Sequence, residues 1–283
     1  MSISYKFFDR ARDRAARVVF PEMDDPRVAA ACKTLRSERL CQPVALGEIS
    51  EAQVAALVSA RGMKDALARR MLTRPLYRAA AMVAAGEADA MVAGADSPTK
   101  RVIEAASIVI GLADGVETPS SFFLMLFPDG RRMVWADCAV NVSPTAEDLA
   151  DIARASTASC EVLLGPARVA MLSFSTGTSG QGDSVERVRA ASELSGFMGP
   201  VQADAALNPR IAEKKGLGDG DANVLIFPDL DSGNIGYKLA QELAGAQALG
   251  PFLQGFRKPV CDLSRGATAD DIVAATVVTA ALA

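Results

Sequence analysis

The chain has 283 residues, 50% of them hydrophobic, with 30 basic and 34 acidic side chains, a net charge of −4 and no histidine. That length suits one large domain or two smaller ones, and that composition buries a sizeable core, which excludes a disordered chain. The missing histidine excludes Ser-His-Asp and Cys-His catalysis and zinc sites built on His. No basic stripe is present, which argues against a nucleic-acid partner. No apolar run approaches the roughly 20 residues that cross a bilayer, and Met1–Lys6 lacks the apolar core of a leader, so the expectation is a cytoplasmic protein without a membrane partner. Five cysteines (Cys32, Cys41, Cys138, Cys160, Cys261) form no CxxC pair, which argues against a disulfide framework.

Arg17–Glu22 reads as a strand stopped by proline, and Asp24-Asp25-Pro26-Arg27 caps a helix running to about Arg36. Pro43–Gly47 is a second strand, and residues 51–85, rich in Ala, Arg, Met and Leu, are helical. Asp89–Ala95 is a buried strand ending at glycine, followed by a helix over 99–111. Two strands, 121–127 and 132–136, flank Pro128-Asp129-Gly130-Arg131, a hairpin signal. Ser143-Pro144 supplies an N-cap and first-turn proline for a helix to about Cys160, and the polar turn Asn141–Pro144 is the expected domain boundary. A strand at 168–174 leads through a glycine-rich loop to a helix from Ser184 to Leu194. Asn223–Phe227 is a strand, 228–234 a polar loop, and a helix carries Ile235, Leu239 and Leu243 on one face. Cys261–Gly266 turns into a last helix, Thr268–Ala283. The alternation predicts an α/β fold with a mostly parallel sheet.

Three stretches carry candidate chemistry. The loop Ser175-Thr176-Gly177-Thr178-Ser179-Gly180 lies between a strand and a helix, where backbone N–H groups and the helix dipole favour an anion; it reads equally as a surface turn. Its glycines fit neither the Walker loop nor the dinucleotide fingerprint. Ser264-Arg265-Gly266 sets a hydroxyl beside a guanidinium that can grip phosphate oxygens, or is an ordinary turn. Asp271, three residues after Thr268, completes a capping box, and the positive end of a helix favours the ionised carboxylate over a base. Asn234 reads as an N-cap, with Tyr237 and Lys238 in the helix start behind it.

Taken together, Val19-Phe20-Pro21-Glu22, Asp137-Cys138-Ala139-Val140-Asn141 with Pro144–Ala150, Arg168–Gly180, Ala212–Lys215, Ile226–Lys238, and Gly250–Gly255 through Ser264-Arg265-Gly266 resemble the phosphotransacetylase and phosphotransbutyrylase family, in the same order over nearly the whole chain. The resemblance implies a two-domain α/β/α sandwich like isocitrate and isopropylmalate dehydrogenases. One domain is expected from 1–141 plus 256–283 and the other from 142–255, with the active site in the cleft between them and a homodimer as the assembly. It implies the reversible reaction acetyl-CoA plus phosphate giving acetyl phosphate plus CoA, with CoA as substrate and no metal or bound organic cofactor.

Carried onto this sequence, the resemblance makes Asp271 the base for the CoA thiol, Ser264 the oxyanion donor and Arg265 the phosphate ligand. Ser175, Thr176, Gly177, Thr178, Ser179, Asn234, Tyr237 and Lys238 become substrate-binding candidates. Two departures stand out. The family has an arginine ten residues past the glycine that matches Gly94, where this chain has Glu104; Arg101, one turn earlier, is the substitute cation. The segment between residues 47 and 76 is also shorter than in typical members. The alternatives are a paralogue that binds acyl-CoA or another anion with impaired turnover, and a different acyl preference such as butyryl.

Overall fold

The structure, a computed structural model, describes residues 5–283; the leader test on Met1–Lys6 falls largely outside them. The chain divides into two compact units: the first is the chain up to Gly115 together with Gly250–Ala283, the second Val116–Leu249. These boundaries differ from those expected at 141/142 and 255/256 because the hairpin over residues 120–136 pairs with a strand of the second unit.

The first unit opens with α1 (Tyr5–Arg14), β1 (Arg17–Val19), α2 (Pro26–Ser37) and β2 (Gln42–Val44). Three helices follow, α3 (Glu51–Arg61), α4 (Asp65–Leu72) and α5 (Pro75–Ala84), then β3 (Ala90–Ala93) and α6 (Thr99–Ala105). β1 pairs in parallel with both β2 and β3. Every residue of β3 is buried, the pattern of a parallel strand covered on both faces. α6 runs into a π-helical turn, Ala106–Ile110, whose Ser107 and Ile108 carbonyls accept from Arg61 at 2.6 and 2.9 Å.

The second unit comprises the hairpin β4 (Ser120–Leu126) and β5 (Arg132–Ala136), then α7 (Ala146–Leu163), β6 (Val169–Leu172), α8 (Asp183–Ser195), β7 (Met198–Val201), α9 (Ala203–Leu207), α10 (Pro209–Lys215), β8 (Val224–Ile226) and α11 (Leu230–Ala244). Its strands run in the order β4-β5-β8-β6-β7, parallel except for the hairpin. The alternating face of Phe123, Met125, Met133 and Trp135 packs with Leu225 and Phe227 into one cluster. The helix α7 is capped by Thr145, which exchanges bonds with Asp148, rather than by Ser143 as expected. Asp148 sits three residues after Thr145 and can return the bond, which no residue does for Ser143.

The chain then returns through β9 (Gln247–Gln254), β10 (Val260–Asp262) and α12 (Ala269–Leu282). β10 lies parallel to β3 and antiparallel to the end of β9. α12 packs on α2 and α1, and α5 covers β1 and β3 and packs in turn against α3. Ile272 and Ala274–Ala281 of α12 are all buried, which is what a helix apolar on all sides requires. The turn before it is therefore mounted on the most deeply held helix of the unit.

The start of α11 shows how a polar segment becomes helix. Asp229 accepts from the Ser232 N–H at 2.9 Å, so the helix begins at Leu230 and not at 235. Asn234 is thus in the second turn and not an N-cap; its amide donates to the Cys138 carbonyl at 3.2 Å. Between them, a Cβ on Gly233 would stand 2.4 Å from the Asp137 carbonyl oxygen and 3.1 Å from Cys138 Sγ. Ala normally stabilises a helix interior over Gly by about 1 kcal/mol. Gly233→Ala is nevertheless expected to lower the thermal midpoint, because the backbone contact outweighs that gain; a rise in midpoint by scanning calorimetry would contradict this packing.

Candidate active site

The turn between β10 and α12 brings Ser264, Arg265 and Asp271 into one segment of the first unit. Ser264 and Arg265 are exposed, and Ser264 Oγ accepts from the Gly266 N–H at 3.3 Å. Asp271 closes the capping box: its Oδ2 accepts from the Thr268 N–H at 3.0 Å and from the Thr268 hydroxyl at 2.7 Å. Both capping bonds fall on a single carboxylate oxygen. The side chain that caps the helix thus keeps Oδ1 out of the cap.

The first unit also has a cavity of about 800 Å³, lined by Glu22, Asp25, Arg74, Tyr77, Asp96 and Arg101 among others. The departure at position 104 finds its physical account here. Glu104 accepts from the Tyr77 hydroxyl and from Arg101 Nη1, both at 2.8 Å. The bond from Tyr77, and then that from Arg101, holds the Glu104 carboxyl below its usual range. Glu104 therefore does not present an uncompensated anion to the cavity; it pairs with the cation expected to substitute for the family's arginine. Burial, with the Glu104 bond second, pushes the Tyr77 phenol up.

Two carboxylates of this region escaped the sequence reading. Glu22 lies at the end of the strand motif, and its carboxylate accepts from the backbone N–H groups of Gly94 (2.9 Å), Ala95 (2.8 Å), Asp96 (3.3 Å) and Ser97 (2.8 Å). The loop after β3 is an anion nest filled by the protein's own side chain. Asp262, the last residue of β10, is 1% exposed, and its Oδ1 has no hydrogen-bond partner. Gly94 faces it with φ +103°, and any Cβ there would lie 2.4 Å from that oxygen. Burial pushes the Asp262 carboxyl up to about 7; the Thr99 hydroxyl opposes the shift and the nearby Glu22 charge adds to it. A single Asp in an apolar strand was the only signal available.

The remaining candidates belong to the second unit. In the glycine-rich loop, Gly177 has φ +55°, the left-handed region that favours glycine. The loop's backbone donors are largely consumed internally. Ser175 N–H donates to Ser173 Oγ (3.1 Å), Thr176 N–H to Ser179 Oγ (2.9 Å), Gly177 N–H to the Pro200 carbonyl (3.0 Å) and Ser179 N–H to the Thr176 carbonyl (3.0 Å). Ser175 is buried against Ser179, their hydroxyls 3.1 Å apart, and Thr176 Oγ1 accepts from the Gln202 N–H at 3.1 Å. The N–H groups of Thr176, Gly177 and Ser179 are thus engaged within the protein, and Thr178 is exposed. Tyr237 stacks on Phe123 with ring centroids 4.2 Å apart, a packing role, and Lys238 lies over the Tyr237 ring at 5.2 Å. Asp137 of the Asp137–Asn141 motif is buried and accepts from the N–H groups of Ala139, Val140 and Asn141 and from the Ser121 hydroxyl, which makes it an anchor for that turn.

A phosphotransacetylase structure from Streptococcus pyogenes superposes with a TM-score of 0.91 at 35% identity, covering 99% of this chain and 98% of its own. A phosphate acetyltransferase of Thermoanaerobacterium thermosaccharolyticum is 37% identical over 99% of both chains. Another, from Nitrosomonas europaea, is 39% identical over 98% of this chain but 45% of its own, so the chain spans about half the length of some relatives it matches. These likenesses define the class as an α/β phosphotransacetylase fold. The chain belongs to the phosphate acetyl/butaryl transferase family, whose sequence model matches residues 52–280. It is accordingly an acyltransferase that moves acetyl reversibly between CoA and phosphate.

The buried Asp262 fixes a pH dependence. A carboxyl raised from 3.8 to about 7 by folding binds its proton more tightly in the folded chain. Its contribution to stability is complete below about pH 4 and is lost as pH rises to about 7, with a limiting slope of about 1.4 kcal/mol per unit. Asp262→Asn mimics the protonated form at every pH. Thermal midpoints of the variant relative to the parent are expected to rise steadily between pH 4 and 7 and level off above; a constant difference would mean that Asp262 does not titrate in that window.

Proposed function

We propose that acetyl transfer is carried out by the turn between β10 and α12, with the thiol end of CoA and acetyl phosphate meeting at Ser264, Arg265 and Asp271. The observation that carries this reading is the capping geometry of Asp271. With the cap on Oδ2, Oδ1 is the oxygen assigned to the substrate proton. A free thiol has a pKa of about 8.5 and is little ionised at neutral pH, so a positioned base is needed. Asp271 takes the thiol proton, the sulfur attacks the acetyl carbonyl carbon, the new C–S bond forms, and the C–O bond to phosphate breaks with its electron pair leaving on phosphate. Ser264 donates to the developing oxyanion, and Arg265 neutralises the phosphate, both strongest when charge is at its maximum.

We assign the cavity lined by Tyr77 and Arg101 to CoA. Arg101 and Arg74 supply cations on its lining, and Tyr77 and Glu104 fix the direction of Arg101. In the second unit, Gly177, Thr178, Ser179 and Lys238 are exposed, and of these Thr178 and Lys238 are assigned to phosphate or CoA because their side chains carry a hydroxyl and a cation. Ser175, Thr176, Gly177, Ser179, Asn234 and Tyr237 act there through the shape of the loop and helix that carry these two.

A homodimer completes the reading. On α11, Ile235, Leu239 and Leu243 are 56%, 52% and 81% exposed, spaced four apart along one face. Three large apolar side chains in a row form a patch suited to a second copy of the chain. The cytoplasm is the assigned compartment: all five cysteines are free and buried, and among the described residues no helix is long and apolar enough to cross a membrane.

Two outcomes test these assignments. Asp271→Asn keeps a side chain that can accept the cap and is expected to slow CoA-dependent consumption of acetyl phosphate by roughly 10²- to 10⁴-fold with an unchanged circular dichroism spectrum. An unchanged rate would remove Asp271 from the chemistry. Leu239→Glu is expected to shift the sedimentation profile from dimer to monomer, and a profile equal to the parent's would move the interface elsewhere.

A further inference from the structure

We propose that Arg27 is the positioning residue of the acetyl-transfer turn, holding the backbone from which the Arg265 guanidinium projects. The proposal rests on the reading above that Ser264, Arg265 and Asp271 perform the chemistry. Arg27 lies in the first turn of α2, 238 positions from Arg265 in the chain, and nothing in its local sequence distinguishes it from a solvated helix arginine.

A guanidinium has five N–H donors in a rigid planar fork. All five are used. Nη1 donates to the carbonyl oxygens of Arg265 (2.7 Å) and Ala267 (3.0 Å), and Nη2 to that of Ala95 (2.8 Å). Nε and Nη2 also grip Asp25 through both of its oxygens, at 3.1 and 2.7 Å. Asp25 is itself fixed, because it is the N-cap of α2 and accepts from the Arg27 N–H at 2.8 Å. The Arg27 side-chain bond, opposed by burial, holds the Asp25 carboxyl below its usual range.

The fork therefore joins the loop after β1, the loop after β3 and the turn after β10. Two carbonyls of that turn, on either side of Gly266, are locked to one planar group. The Arg265 side chain is exposed, so its aim is set by the backbone it leaves from. A lysine at 27 would keep the charge beside Asp25 but offers a single nitrogen, which cannot span Asp25, Ala95 and both turn carbonyls. The loss of geometry, rather than of charge, is what the proposal makes costly. A misplacement of about 1 Å at a reacting group can cost on the order of 10²-fold in rate.

The experiment is a double-mutant cycle of Arg27→Gln and Arg265→Ala, with Arg27→Lys alongside, reading kcat, the KM for CoA and for phosphate, and the thermal midpoint of the intact chain. Arg27→Gln and Arg27→Lys are expected to lower kcat about 10- to 100-fold, with the KM for CoA changed less than about threefold. In the Arg265→Ala background, Arg27→Gln is expected to cost less than about twofold, because the group it positions is gone. Multiplicative losses in the cycle would overturn the positioning role, as would full kcat in Arg27→Lys. Full activity in Arg265→Ala would instead overturn the catalytic reading, and the proposal with it; an impaired Arg265→Ala beside a fully active Arg27→Gln overturns the positioning role alone. Should Arg27→Gln fail to fold, the cycle is run with Arg27→Lys, which retains the ion pair to Asp25.

Discussion

The first unit depends on how the ends of its parallel strands are tied off. Strands β1, β3 and β10 run side by side, so the loops that leave β3 and β10 need partners for backbone groups that no further strand supplies. The loop after β1 and the first turn of α2 provide one each. Glu22 collects the N–H groups of residues 94–97, and Arg27 collects the carbonyls of Ala95, Arg265 and Ala267. One side chain accepts and the other donates, and the loop after β3 is held from both sides. The candidate chemistry then rests on a base set by ordinary backbone satisfaction, at one end of a helix whose far turns are wholly buried.

This arrangement suits a chain without histidine. The groups proposed to react are a carboxylate, a hydroxyl and a guanidinium, none of which shuttles protons readily at neutral pH in water. Positioning has to make up the difference, since a weak base close to a thiol can be as effective as a strong one held loosely. The Glu104, Tyr77 and Arg101 set shows the same habit: a substitution that reverses charge is neutralised by a neighbour one turn away.

Much of the fold was legible from residue pattern because the pattern and the packing demand the same thing. The buried run of β3, the hairpin around Pro128–Arg131 and the capping box at Thr268 each announce themselves locally. Thr145 and Asp229 were misjudged because a cap is chosen by which side chain closes a bond, and Ser143 and Asn234 looked equally able. The proposed site is legible only where its residues adjoin in sequence, as in the turn with Ser264 and Arg265. Arg27, Glu22 and Asp262 acquire their roles from partners 68 to 240 positions away, and no local spacing reports such a meeting. In the loop at 175–179 the hydroxyls pair with one another and with loop N–H groups while the Gly177 N–H reaches Pro200, bonds that the spacing of small polar residues does not report.

The five cysteines have a use that their chemistry conceals. All are free and buried, and burial pushes Cys32 and Cys160 up to about 11 and Cys41 to about 12, with Cys138 and Cys261 also raised. Thiolate is the reactive form, so the folded chain is silent towards alkylating and oxidising reagents. Exposure of any one of them requires an opening of the element that covers it. The chain thus carries five internal clocks, three in the first unit and two in the second, whose labelling rates time the loosening of each part separately.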